Sequence, residues 1–151
     1  MEMTGSRTIA APRERVWAAL NDPAVLKACI PGCEEMTGSP EEGFEATVKQ
    51  KVGPVKATFR GAVTLRDVVP PESYRIEGEG KGGVAGFAKG GADVRLTEVP
   101  EGTELAYAVD AKVGGKIAQL GGRVVDSVAA RFADEFFERF KARVEGAGAP
   151  A

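Results

Sequence analysis

Apolar and polar positions divide the chain into a first strand with two short helices, a long strand-forming middle and a helical end. Residues 2 to 10 read as a strand. Pro12 then opens PRERVWAAL, where Val16, Trp17 and Leu20 fall on one face of a short amphipathic helix. Asp22 followed by Pro23 supplies a capping side chain and a proline at the first helical position. A second short helix should therefore run through Val25, Leu26 and Ala28 and stop before Pro31-Gly32.

From there to about residue 113 the period is two. In VKATFRGAVTLR, Val55, Ala57, Phe59, Gly61, Val63 and Leu65 share one face, while Lys56, Thr58, Arg60, Thr64 and Arg66 lie on the other. That is an antiparallel strand with one wet side. Phe44, Ala46, Val48 and Val52 alternate with Glu45, Thr47, Lys49 and Lys51, and Gly53-Pro54 joins the two runs as a hairpin. Further strands are expected at 72 to 80, at 92 to 99 through Val94 and Leu96, and at 103 to 113 through Leu105, Tyr107, Val109 and Val113.

In KIAQLGGRVVDSVAARFADEFFERFKARV, Ile117, Leu120, Val124, Val128 and Phe132 recur every three or four residues, which predicts one long helix. The elements add up to a two-layer α+β fold, a curved antiparallel sheet wrapped around the long C-terminal helix, with two short helices after the first strand. A chain of 151 residues with 43% apolar composition suits one domain, over residues 1 to 145, and residues 146 to 151 read as a disordered tail or the start of a linker.

Charge and composition narrow the chemistry. Lys and Arg total 20 against 22 Asp and Glu, a net charge of −2 with no basic block, which argues against nucleic acid as a partner. The start MEMTGSRTIAAP lacks a basic segment followed by an apolar core, and no run of about 18 apolar residues exists, so a cytoplasmic chain is expected. Cys29 and Cys33 are separated by three residues and the chain has no histidine, which leaves no credible zinc site and reads as two semi-buried thiols.

The stretch GEGKGGVAGFAKGGA carries seven glycines in fifteen positions. A phosphate loop needs its glycines ahead of a helix, whereas here strand-like DVRL follows. Strand glycines mark a sharp bend or a place where side-chain volume must be absent, so Gly78, Gly80, Gly82 and Gly83 should curve the sheet and empty it from one side. Gly121 and Gly122, placed inside the predicted helix, would cost roughly 2 kcal/mol relative to alanines. Room for a ligand and close contact of helix with sheet both explain them. An empty apolar void of order 500 Å³ would cost about 12 kcal/mol, so a large one would hold ligand or water.

VWAALNDPAVLKACIPGCE, KVGPVKATFRGAVTL, GGVAGFAKGGADV and VGGKIAQLGGRVVD, in this order and spacing, closely resemble the CoxG family of carbon monoxide dehydrogenase proteins over about residues 1 to 140. That family lies within the helix-grip superfamily of START-like and Bet v 1-like (SRPBCC) proteins. The resemblance implies a non-catalytic accessory protein of a cytoplasmic molybdenum carbon monoxide dehydrogenase, which links the enzyme to the membrane and its lipoquinone pool. It implies a cavity suited to menaquinone or a related isoprenoid quinone, with no covalently bound cofactor and no metal.

Alternation and helix phase then assign the pocket to Trp17, Leu26, Phe44, Val48, Phe59, Val63, Ile76, Gly80, Phe87, Val94, Tyr107, Ile117, Leu120, Gly121, Val124 and Val128. Longer members of the family carry a flexible extension with a membrane-binding amphipathic segment, whereas this chain ends at GAGAPA. Either the chain continues beyond Ala151 or this member docks differently, and the remaining candidates for peripheral contact with the inner face of the membrane are Val84 and Phe87, with Lys81 and Lys89 beside them. A pocket-side position for Phe87 is the competing expectation.

Two other functions compete. An enzyme would need a titratable group in the pocket; with no histidine, only Tyr74, Tyr107 and Asp110 remain, and Asp110 is on the opposite strand face from Tyr107. A pure interaction module could recruit the dehydrogenase without a small ligand, through a sheet edge or through Phe132, Phe136, Phe137 and Phe140, which cover more than one helical face.

Overall fold

The computed structural model describes residues 1–147. Strand β1 (Glu2–Ile9) leads into helix α1 (Arg13–Leu20), which begins after Pro12, and helix α2 (Pro23–Cys29) follows. The Asp22 carboxylate accepts a hydrogen bond from the Ala24 backbone N–H at 2.9 Å, while Pro23 fills a position that needs no donor.

Six more strands follow: β2 (Cys33–Ser39), β3 (Gly43–Val52), β4 (Val55–Val69), β5 (Ser73–Lys81), β6 (Phe87–Val99) and β7 (Gly102–Gly114). They form one antiparallel sheet of order β1-β7-β6-β5-β4-β3-β2, in which the first strand closes against the last. Strand β6 starts at Phe87, five residues ahead of the expectation, so most of the glycine-rich stretch is sheet and only Gly83–Ala85 turns as a short 3-10 segment.

The predicted single C-terminal helix is two. Helix α3 (Lys116–Gln119) ends at Leu120, and α4 runs from Gly122 to Ala147. Gly121 between them has φ +94°, a left-handed conformation that only glycine adopts without strain, so it breaks the helix and carries no mid-helix penalty. The helix includes Gly146 and Ala147, where a tail was expected, and the rest of that tail lies outside the described residues.

Helix α4 touches both β1 and β3, which stand five places apart in the sheet order, so the sheet must curl around it. This is consistent with the helix-grip arrangement. The β3–β4 and β5–β6 turns mark one end of the molecule, the tip end; α1 and the β4–β5 and β6–β7 turns mark the other.

The packed core sits at that second end, where Ile9, Val16, Leu96, Leu105 and Phe140 are each almost wholly buried. Thr103 is the buried polar residue there, and its hydroxyl donates to the Ala11 carbonyl at 2.8 Å.

Candidate functional site

Register shows what the concave face offers. Nearest the core, inward rows are large: Tyr74 is opposite Val94, and Val94 is opposite Tyr107. Towards the tip the rows shrink. Ala46, Gly61, Gly80, Ala88 and Val113 form one continuous row across five strands, and the next contains Gly78, Gly90 and Ala111. Side-chain volume is withdrawn from the middle of the sheet.

That withdrawn volume is not refilled by the helix. A Cβ built on Gly80 has no atom within 4 Å. On the same face Val48, Phe59, Val63, Ile76 and Val109 point inward but are only half-buried, as are Leu120, Val124 and Val128 at the junction of α3 and α4, where Leu120 and Val124 lie beside Gly53 of the β3–β4 turn. Packed interiors leave few such gaps, so the tip half of the concave face is an apolar trough beside a close-packed core. Its polar groups are few. The Gln50 amide donates to the Pro31 carbonyl at 2.6 Å, and the Tyr107 hydroxyl lies over Gly5.

The assigned pocket residues divide accordingly. Val48, Phe59, Val63, Gly80, Leu120, Val124 and Val128 belong to the trough, and Phe44 and Ile117 are buried residues of β3 and α3. Ile76 and Tyr107 stand at the boundary, packed against the core. Val94 is a core residue, and partly buried Trp17 packs against the core, meeting buried Tyr74 edge-on with ring centroids 5.2 Å apart at 89°. Leu26 is half-buried on α2, which packs against α4 and β2.

Phe87 corrects the pocket assignment. It pairs with Lys81 and Gly114 on the outward face and remains 42% exposed, one residue out of phase with inward Ala88. Gly121 is corrected too. A Cβ there would meet nothing within 4 Å, which removes close helix–sheet contact as its explanation, and its φ explains the glycine without a ligand.

The acid–base candidates are kept apart. Tyr74 is buried, and burial pushes its phenol well above the usual tyrosine range. Asp110 is on the outward face, where it accepts two hydrogen bonds from Arg75 at 3.0 and 3.2 Å. Arg75 also holds Glu77 and Asp93, each at 3.1 Å, and Arg66 reaches Glu77 at 2.8 Å. Arg66 and then Arg75 hold the Glu77 carboxyl below its usual range. This network pins β4 to β7 from outside and offers nothing to a ligand in the trough. Desolvation raises both thiols, Cys29 and Cys33, which keeps them protonated and weakly nucleophilic.

Two shallow recesses also lie on the outward face, one beside Glu45, Thr47, Arg60 and Lys81 and one beside Arg75, Glu77 and Lys89. Their charged walls and openness suit no apolar molecule. The small inward residues Ala46, Ala88 and Ala111 were missed from sequence because only the register lines them up with Gly61, Gly80 and Gly90.

Residues 5–145 match the family described as CoxG, a carbon monoxide dehydrogenase subunit. The crystal structure of a conserved protein from Geobacillus kaustophilus is similar, with 29% identity, a TM-score of 0.90 and 97% of each chain covered. A protein from Thermus thermophilus is 17% identical with a TM-score of 0.73, over 99% of this chain and 100% of that one. One from Rhizobium leguminosarum is 15% identical with a TM-score of 0.73, over 97% of this chain and 95% of that one. The last two show likeness of fold alone. No curated protein matches the chain.

Proposed function

The chain belongs to the CoxG family of carbon monoxide dehydrogenase proteins, and from that premise we propose that it is a non-catalytic carrier of a menaquinone-like lipoquinone. In this reading it serves a molybdenum carbon monoxide dehydrogenase by connecting it to the quinone pool of the membrane. The observation that supports the proposal is the unfilled space over Gly80 on a concave face where Phe59 and Val63 are only half-buried, as are Val124 and Val128 on the helix.

The energetics favour an isoprenoid. Each methylene taken from water contributes about 0.8 kcal/mol, so a few isoprene units offset the ordering costs of association with little polar help. Among the described residues, buried Tyr74 and outward-facing Asp110 are separated from Tyr107, an arrangement that suits a carrier better than acid–base chemistry.

A second reading, recruitment of the dehydrogenase without a small ligand, draws on Val68 and Val69, which are 43% and 48% exposed at the end of β4. Phe137, offered from sequence as a recruiting residue, is instead turned inward on Tyr107. Mass spectrometry of organic extracts and of the intact chain, purified with membranes present and without detergent, separates the two. Stoichiometric isoprenoid quinone supports the carrier. A bare chain that also refuses added menaquinone refutes it and leaves the recruiter.

A further inference from the structure

Gln50 is the polar exception on the tip half of the concave face. It follows Phe44, Ala46 and Val48 on the inward side of β3 and is half-buried opposite Ala57 of β4. Every other inward position of β3 and β4 is apolar or glycine, and so are those of β5 to β7 on the tip side of the row of Tyr74, Val94 and Tyr107. Placing a carboxamide among such neighbours costs free energy unless its polar atoms find partners. Here only the nitrogen has one.

The Gln50 Nε2 donates to the Pro31 carbonyl at 2.6 Å, which fixes the orientation of the amide, because its oxygen turned that way would face another oxygen. The Oε1 accepts no hydrogen bond among the described residues and remains accessible, since the buried side-chain atom left without a partner there is Arg13 Nε. The Pro31-Gly32 turn has a second tie to β3, the Lys49 N–H donating to the Gly32 carbonyl at 2.9 Å, so it does not depend on Gln50 alone. What Gln50 offers the trough is an acceptor whose own donor is already committed. The other polar group, the Tyr107 hydroxyl, lies over Gly5 of β1 on the far side of the sheet.

We propose that Gln50 is the specificity-determining residue of the trough: its Oε1 accepts a hydrogen bond from a ligand hydroxyl, so the site takes a quinol in preference to the corresponding quinone. This deepens the carrier reading and rests on it. Two-electron, two-proton reduction turns both ring carbonyls of a quinone into hydroxyls, so polar atoms that only accepted hydrogen bonds become donors. A carbonyl placed against Oε1 leaves two acceptors unpaired, whereas a hydroxyl donates into it. The reach is suitable. From Gln50 to Ala46, the β3 member of the row that contains Gly61, Gly80 and Ala88, is roughly 13 Å at about 3.3 Å per residue, so a ring held at Gln50 leaves that row of small residues to the isoprenoid chain. Reduction of the carried molecule then tightens the hold on it.

The test is anaerobic equilibrium dialysis of the chain against a short-chain menaquinone, its quinol and the dimethyl ether of that quinol, which keeps the ring and chain but has no donor. The quinol is expected to bind about tenfold more tightly than the other two. Gln50→Leu should bring the quinol down to the level of the quinone and leave the quinone unchanged. Gln50→Glu keeps an acceptor but gives up the donor to Pro31, so it should preserve the preference. A residue that merely anchors Pro31 would behave differently, both variants weakening all three ligands alike. That uniform weakening, or equal binding of the quinol and its ether by the native chain, would overturn the proposal, and the native-chain comparison decides even if a variant fails to fold. Binding of all three without preference refutes this proposal and leaves the carrier reading standing; binding of none refutes both.

Discussion

The Tyr107 ring stacks on Phe137 with centroids 5.1 Å apart and planes at 21°, and this pair stands where the packed core gives way to the trough. Arg7 lies over the outer side of Phe137, 5.3 Å from its centroid, and also pairs with Asp134. Tyr107 is held flat from below by Gly5, whose missing side chain is the space the phenol occupies.

Gly5→Ala should therefore lift Tyr107 off Phe137 and cost about 1–3 kcal/mol, as overpacking does. Ser6→Ala, on the wet side of the same strand, should change little. Urea unfolding of both variants checks this, with a shift of midpoint expected for Gly5→Ala alone.

The two glycines between α3 and α4 should respond in opposite ways. Gly121→Ala forces a Cβ into a left-handed position and should cost about 1–2 kcal/mol although no atom is near it. Gly122→Ala, at the start of α4 with equally open surroundings, should be neutral or stabilising by up to about 1 kcal/mol. Thermal midpoints of the pair decide whether the break in the helix is conformational.

The buried phenol of Tyr74 predicts an alkaline limit on stability. Its folded-state pKa is raised above the unfolded value near 10, so no difference arises below that pH. Above it the unfolded chain loses the proton while the folded chain keeps it, and stability falls as pH rises. Tyr74→Phe keeps the contact with Trp17 and should flatten the decline measured by denaturant unfolding between about pH 9 and 11.

Much of this was legible before any coordinates. Strict alternation in Val55 to Leu65 placed the inward residues of β4, and the Asp22-Pro23 pair placed α2. Phase failed where a glycine changed it silently. Gly121 looks like one more helical position until its φ is known, and Phe87 belongs to the outward face only because β6 begins before Ala88. The unfilled rows are products of exact register between successive strands, such as Gly61 against Gly80 and Gly80 against Ala88, which alternation within a single strand does not encode.

The carrier reading turns on the space over Gly80. Gly80→Leu adds an apolar side chain to a strand position with nothing within 4 Å, so it should fold with an unchanged or higher melting midpoint. Menaquinone uptake, followed by native mass spectrometry on the variant and the native chain side by side, is the direct measurement. Uptake by the native chain and its loss in the folded variant is the predicted result; equal uptake by both would contradict a ligand seated in the trough.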